Sequence, residues 1–216
     1  MDEGFEQPTA DQPDVLASFW THWLEEGERP KSVFKLCQIA GVSERDFYSQ
    51  YGSLDALEKA SWRQLVRDTI AKLESDAEYG TYNARQKLLA FYYTYFDIAL
   101  EWRSRLLLAF PKFRVGFPPD NLKGFREAFI DWVKPVLKEA VDTNEIAERK
   151  RINDRYPEAI FGMAWFLTDY NLMDESEGFQ DTDALVEKTV NTFFDAAPTQ
   201  VVDTGFDLLK FLIGRR

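Results

Sequence analysis

The chain of 216 residues has a formal net charge of −11, and 45% of its residues are hydrophobic, including 18 Phe, 9 Tyr and 6 Trp. This apolar and aromatic content excludes a disordered polymer and is sufficient for a sizeable core. The single cysteine, Cys37, excludes an intramolecular disulfide and a thiolate metal cluster, and the acidic residues 1–14 lack the apolar segment of a secretory signal, so we expect a cytoplasmic protein.

The first third of the chain predicts a disordered arm followed by helices. Residues 1–12 are polar, and the apolar residues after them recur at helical spacing until Gly27 and Pro30 end the run. A second, short helix is predicted over 31–40. A third helix is predicted over 43–50, with Ser43 as its N-cap.

Two local signals support the helices that follow. Asp46 lies three residues after Ser43 and is placed to return the capping bond as a short-armed capping box. Ser53 caps a fourth helix that meets no breaker until Gly80. The first domain is therefore predicted to be a helix-turn-helix unit over 13–55.

The remainder of the chain also predicts only helices. No segment sustains the alternating pattern of β-branched residues that is typical of strands. Glycines and prolines separate the helical segments, which we place at 83–109, 121–142, 153–173, 182–196 and 204–213. The prediction is an all-α protein of about nine to ten helices, with a C-terminal domain over 56–216.

The residues between 36 and 47 fit a helix-turn-helix. Such a motif needs small or apolar residues where its helices cross and a residue such as glycine in the turn. Leu36, Cys37 and Ala40 supply the crossing face, Gly41 supplies the turn, and Phe47 anchors the second helix. Any three-helix bundle meets this pattern, so by itself it indicates a fold rather than a function.

The fuller pattern over 33–57 is more specific. It reads Val-x-x-Leu-Cys-x-x-Ala-Gly-Val-Ser-x-x-x-Phe-Tyr-x-x-Tyr-x-Ser-x-x-x-Leu and closely resembles the head of the tetracycline-repressor (TetR/AcrR-like) family. The resemblance implies a DNA-binding head, a long fourth helix and a helical body that binds a ligand and dimerises. We therefore expect a transcriptional regulator that binds operator DNA as a dimer.

The resemblance also implies which residues contact DNA. It places the recognition helix at 43–50 and assigns contacts to Lys31, Ser32, Ser43, Glu44, Arg45, Tyr48 and Ser49. The family's counterpart of Tyr48 usually contacts a phosphate. Arg45 is the only cation on this helix, and a guanidinium binds a guanine edge through two hydrogen bonds.

The charge of this head opposes DNA binding. Residues 1–60 carry twelve acidic and only five basic side chains, whereas DNA affinity comes largely from cations that neutralise phosphates. The alternative is a protein of the same fold that binds a lipid or a partner protein instead of DNA. The apolar tail over 204–216 either docks on the body or lies at a membrane surface, with Arg215 and Arg216 near lipid phosphates.

The predicted body is rich in aromatic residues, most of which ordinary core packing explains. Tyr and Trp also carry polar tips, and the resemblance implies an apolar cavity between these helices. We therefore predict a site for a small hydrophobic ligand. Its candidate lining residues are Tyr92, Tyr95, Phe129, Trp132 and Trp165.

Two helices near the C-terminus correspond to those through which the family dimerises. The segments 153–173 and 182–196 each carry an apolar stripe, so we predict a homodimer. The predicted interface residues are Ile160, Met163, Leu167, Val190, Phe193 and Phe194. One histidine and one cysteine leave little for nucleophilic or metal catalysis, so we expect neither an enzyme nor a cofactor or metal site.

Overall fold

The computed structural model describes residues 14–114, 116, 118–147 and 156–196. Within these ranges the chain forms nine α-helices, three short 3-10 helices and no strand. The prediction of an all-α protein is therefore confirmed. The predicted arm over 1–12 and the predicted last helix over 204–213 lie outside the described residues.

The helices follow one another along the chain. In order they are α1 Val15–Glu26, α2 Val33–Ala40, α3 Glu44–Gln50, α4 Leu54–Glu74, α5 Ala84–Glu101, α6 Arg103–Ala109, α7 Lys123–Asp142, α8 Tyr156–Met173 and α9 Gln180–Ala196. The 3-10 helices are Tyr79–Thr81, Asp120–Leu122 and Glu177–Phe179. Contacts divide the chain after Ser61, inside α4, into two compact units, whereas the sequence prediction places the boundary between residues 55 and 56.

The first unit contains α1, α2, α3 and the start of α4, and local capping explains where its helices begin. The carboxylate of Asp14 accepts hydrogen bonds from the first turn of α1, and the hydroxyl of Ser32 does so for α2. Large side chains then close the core of this unit. Phe19, Trp20 and Phe47 are fully buried, so the three short helices are held by packing more than by their own propensity.

In the second unit α5 packs against both α7 and α9, and α8 packs against both α7 and α9. The buried face of α5 is largely aromatic, and its members are Phe91, Tyr92, Tyr95 and Phe96. The facing side of α7 contributes Phe125, Phe129 and Trp132, all of which are buried. Burial of such large rings makes this aromatic layer the main apolar contribution to the body.

The N-terminus of α5 is fixed by two sets of side chains. Asn83 and Gln86 form a reciprocal capping box. In addition, the carboxylate of Glu145 accepts hydrogen bonds from the backbone N–H groups of Ala84 and Arg85, at 3.2 and 3.3 Å. Backbone donors of the first helical turn that would otherwise lack partners are thereby satisfied.

One predicted element is divided in the structure. The segment over 83–109 was expected to be a single helix, but Trp102 (φ −96°, ψ 1°) separates α5 from α6. The next residue explains the break, because the guanidinium of Arg103 donates hydrogen bonds to the carbonyl and side-chain oxygens of Asn171 in α8. The same guanidinium lies 4.4 Å from the ring centre of Phe179, so contacts distant in sequence set the direction of α6.

Candidate functional site

The turn between α2 and α3 has the geometry of a helix-turn-helix. Gly41 ends α2 with φ +68°, a left-handed conformation that favours glycine. The N–H of Val42 then donates to the carbonyl of Cys37 at 3.1 Å and closes the turn. Phe47, fully buried on α3, fixes the second helix against the first unit's core.

The outward face of α3 is exposed to solvent. Glu44, Arg45, Tyr48 and Ser49 are all exposed, and 54% of Tyr48 is accessible. Glu44 and Tyr48, and likewise Arg45 and Ser49, are four residues apart, and Arg45 and Tyr48 are three apart, so the four side chains share one side of the helix. Four of the seven residues predicted to contact DNA thus lie together on an accessible surface.

The three serines predicted to contact DNA differ in the hydrogen bonds that their hydroxyls already form. Ser43 donates its proton to the carboxylate of Asp46 at 2.6 Å, and Ser49 donates to the carbonyl of Asp46 at 2.7 Å. The hydroxyl of Ser32 accepts a hydrogen bond from the N–H of Lys35 at 3.1 Å, which leaves its proton for a phosphate oxygen. Because phosphates only accept hydrogen bonds, Ser32 is the best suited of the three.

The cap of α3 differs in detail from the predicted capping box. The hydroxyl of Ser43 accepts from the N–H of Asp46 at 3.1 Å, as expected. The carboxylate of Asp46 returns the bond to the hydroxyl of Ser43 instead of its backbone N–H. An aspartate side chain is one methylene shorter than the glutamate of a standard capping box, which accounts for the difference.

Two of the basic residues in the first unit are held by neighbouring carboxylates. Arg29 pairs with Asp55 at 2.7 Å and with Glu58 at 3.5 Å. Lys31, which was predicted to contact DNA, lies 3.7 Å from Glu28, although both side chains are largely exposed. An exposed pair of this kind contributes only about 0–1 kcal/mol, so Lys31 remains available to a phosphate.

Lys35 and Arg45 have no ion pair with any carboxylate among the described residues, and both are exposed. Their surroundings are nevertheless negative. Burial raises the pKa of the Cys37 thiol, and the carboxylates of Glu44 and Asp46 raise it further. The seven residues predicted to contact DNA do not include Lys35, although it is one of the few basic side chains in residues 1–60.

Four of the five candidate ligand-binding residues belong to one aromatic cluster around Phe91. Phe91 lies at its centre, stacked on Trp132 with ring centres 4.4 Å apart. The rings of Phe129, Tyr92 and Tyr95 lie 5.0, 5.8 and 6.0 Å from that of Phe91. All four side chains are at most 8% exposed, so the cluster is closed to solvent in this structure.

Buried hydroxyl groups border this cluster. The hydroxyl of Tyr92 donates to the carbonyl of Ile160 at 3.4 Å, a long and weak bond. The hydroxyl of Tyr95 is hydrogen-bonded to that of Thr168 at 3.1 Å. Burial raises the pKa of both tyrosines, so both stay protonated.

The fifth candidate, Trp165, lies elsewhere. Its indole N–H donates to the carbonyl of Pro111 at 2.8 Å, and its ring packs edge to face with Phe113 at 5.0 Å. No ring contact joins it to the cluster around Phe91 within the described residues. The structure therefore brings four of the five predicted residues, Tyr92 among them, to the interface of α5 with α7 and α8.

A comparison with known families identifies the body. Residues 87–212 match the family described as tetracyclin repressor-like, C-terminal domain. The match covers more than half of the chain. The chain belongs to the tetracyclin repressor-like family. The protein is therefore a TetR-like regulator. The match also confirms the resemblance to this family seen in the sequence, which was based on residues outside the matched range. No curated protein matches the chain.

The six residues predicted to form the TetR-like dimer interface lie inside the protomer. Their exposed fractions in the single protomer are between 0 and 2%, so their side chains pack within the body. The residues in question are Ile160, Met163, Leu167, Val190, Phe193 and Phe194. The dimer interface stays a prediction, because α8 is apolar on nearly all sides and apolar character alone does not distinguish a face that packs within the body from one that contacts a partner.

A different side of α8 faces solvent. Gly162, Phe166, Tyr170 and Met173 follow one another at spacings of three or four residues, and each is partly or largely exposed. Met173 is 50% exposed. We call these four residues the outer α8 stripe.

Neither a metal site nor a membrane span is found in the described part of the chain. No group of three or more His, Cys, Asp or Glu side chains there is arranged to hold a metal ion. None of its helices is long and apolar enough to cross a membrane. The sequence-predicted membrane contact concerns 204–216, outside this part.

Proposed function

We propose that this TetR-like regulator is a cytoplasmic homodimer that binds operator DNA through α3 and responds to a small hydrophobic ligand in its body. The observation that carries the proposal is the exposed face of α3, where Arg45 lies unpaired among the described residues beside Tyr48 and Ser49. A helix presented in this way fits the major groove, and two copies would read half-sites about one helical turn apart.

Phosphate contacts would come from a small set of donors. Lys35 has no ion pair with a described carboxylate, Lys31 is held by an exposed pair with Glu28, and Tyr48 is exposed to solvent. Ser32 adds a neutral hydroxyl. These groups position the helix but carry no sequence information, which leaves Arg45 as the base-reading cation.

The ligand site is proposed at the aromatic cluster of the body. Tyr92 and Tyr95 supply hydroxyls next to the apolar rings of Phe91 and Phe129, a combination that suits an apolar molecule with one polar group. The long bond from Tyr92 to Ile160 is easily exchanged for a ligand acceptor. Because the rings contact one another, binding would separate them, and such a change can shift the population of DNA-binding conformations.

For the homodimer we propose the outer α8 stripe as the contact surface. Met173 is exposed and Phe166 is partly exposed, and both would gain by leaving water. Gly162 has no side chain, which allows close approach of a second helix. This surface lies on the same helix as the original prediction but on its solvent-facing side.

The DNA part of the proposal is tested by a gel shift with the promoter DNA that flanks the protein's own gene, at low and at moderate salt. Retardation of the wild type is expected, and Arg45→Ala should weaken it by about 5- to 150-fold, the value of one two-bond guanine contact. Arg67→Ala, an exposed arginine on α4, is the matched control and should leave binding unchanged. Absence of retardation even at low salt would reject DNA binding.

A second candidate function is supported by the charge of the head. Glu44 and Asp46 lie on the helix that would enter the groove, and Arg29 is neutralised by Asp55 and Glu58. A protein that retained this fold but binds a lipid or a protein instead would show no retardation. Sedimentation with vesicles of anionic and neutral lipid would then distinguish lipid binding from protein binding.

A further inference from the structure

The first turn of α3 carries three charged side chains, and they are not equivalent. The carboxylate of Asp46 accepts a hydrogen bond from Ser43 and is thereby used within the head. Glu44 and Arg45 are exposed, and neither forms an ion pair within the described residues. Two neighbouring side chains of opposite charge are therefore free to meet whatever α3 contacts.

A carboxylate at this position restricts the DNA that α3 accepts. Every phosphate repels Glu44, so its carboxylate must face the base edges. In the major groove the hydrogen-bond donors of the bases are the amino groups of cytosine and adenine, and the preferred carboxylate contact is the N4 amino group of cytosine. Guanine O6 and thymine O4 are acceptors and leave the carboxylate without a partner.

Arg45 has the complementary preference. Its guanidinium donates two parallel hydrogen bonds to O6 and N7 of guanine. A G·C pair presents both kinds of group in the major groove, acceptors on guanine and a donor on cytosine. Adjacent residues at the start of α3 are thus matched to one G·C pair or to two neighbouring ones.

We infer that each operator half-site presents a guanine to Arg45 and a cytosine to Glu44, in the same or in adjacent base pairs. This inference rests on the proposed binding of operator DNA. It gives Glu44 a positive role, since a carboxylate that weakens binding to DNA in general rejects sequences that lack the amino group. The carboxylate of Glu44 at the start of α3 then contributes to the sequence specificity of DNA binding.

The test is selection from duplex DNA in which about 30 base pairs are random, enough for two half-sites roughly one turn apart. The wild type should enrich a motif with G·C pairs in each half. Glu44→Ala should lose the preference for cytosine and bind other sequences more tightly. Arg45→Ala should lose the preference for guanine, so that its affinity for the selected sequence falls by about 5- to 150-fold. Replacing the selected guanine by 7-deazaguanine should weaken binding by wild type but not by Arg45→Ala.

Two matched variants control for charge alone. Lys35→Ala should weaken binding to all sequences equally, and Glu25→Ala, an exposed glutamate on α1, should leave the motif unchanged. If wild type enriches a motif and Glu44→Ala enriches the same one with an undiminished preference at its G·C pairs, the role of Glu44 is wrong while operator binding stands. If wild type retains no DNA at low salt, operator binding itself is rejected, and the inference with it.

Discussion

At the scale of single residues, Asp174 holds the connection between α8 and α9. One carboxylate oxygen accepts hydrogen bonds from the N–H and hydroxyl of Ser176, and the other accepts from the N–H and hydroxyl of Thr182. Burial alone would raise the pKa of this carboxyl, but the four hydrogen bonds outweigh it and lower the pKa to about 2. Asp174 is therefore ionised in the folded protein, where its carboxylate accepts hydrogen bonds at the start of α9.

Asp174→Asn should consequently lower the free energy of unfolding at neutral pH by about 1–3 kcal/mol, the cost of weakened charged hydrogen bonds. Because the folded pKa lies below its ordinary value, the stabilisation is complete above about pH 4 and is lost as the pH falls towards 2. Urea unfolding across this range should show the difference between wild type and variant shrinking with acidity. Asp183→Asn, exposed on α9, is the control, and a difference independent of pH would contradict the assignment.

At the scale of elements, Arg103 joins the start of α6 to the end of α8. Its hydrogen bonds to Asn171 and its position over the ring of Phe179 fix three segments at one point. Arg103→Met should cost about 1–3 kcal/mol, because the carbonyl and the amide of Asn171 lose a charged donor. Arg103→Lys should restore only part of the lost stability, since an ammonium cannot reproduce the planar set of N–H donors of a guanidinium.

Hydrogen exchange is the measurement that locates this effect. Faster exchange should appear in α6 and in the last turn of α8, and not in α1 or α2. Lys112→Met provides a matched change at an exposed site. An Arg103→Met protein that unfolds like the Lys112→Met protein would show that these contacts contribute nothing.

These elements also show where prediction from sequence succeeds and where it stops. The ends of α7 and α9 agree with the predicted 121–142 and 182–196 to within two residues, because periodicity and breakers are local signals. The break at Trp102 has no local signal, since neither glycine nor proline is nearby, and it depends on contacts with α8. Likewise, the exposure of Arg45 can be predicted because helical periodicity is a local signal. The ion pair of Arg29 with Asp55 cannot, because it joins residues 26 apart.

At the scale of the whole molecule, the small number of available cations determines how DNA binding responds to salt. Each head offers Lys35 and, through a weak exposed pair, Lys31 to phosphates. A dimer would neutralise about two to four phosphates, so the slope of log K against log salt should lie between about −2 and −4. Glu28→Gln frees Lys31 and should steepen the slope, while Lys35→Ala should flatten it by about 2 per dimer. Measured slopes near −7 would mean that other cations bind the DNA.

The proposed dimer contact can be tested by comparing a substitution on the exposed side of α8 with one on the buried side of α9. Met173→Glu places a charge on the outer α8 stripe and should reduce the mass measured by light scattering from about twice 25.2 kDa to 25.2 kDa. Leu107→Glu, on α6 and 58% exposed, is the control and should remain dimeric. Phe193→Ala should instead lower the stability by about 3–5 kcal/mol at any protein concentration, because its side chain is in the protomer core. A Met173→Glu protein of unchanged mass would assign the dimer contact to another surface.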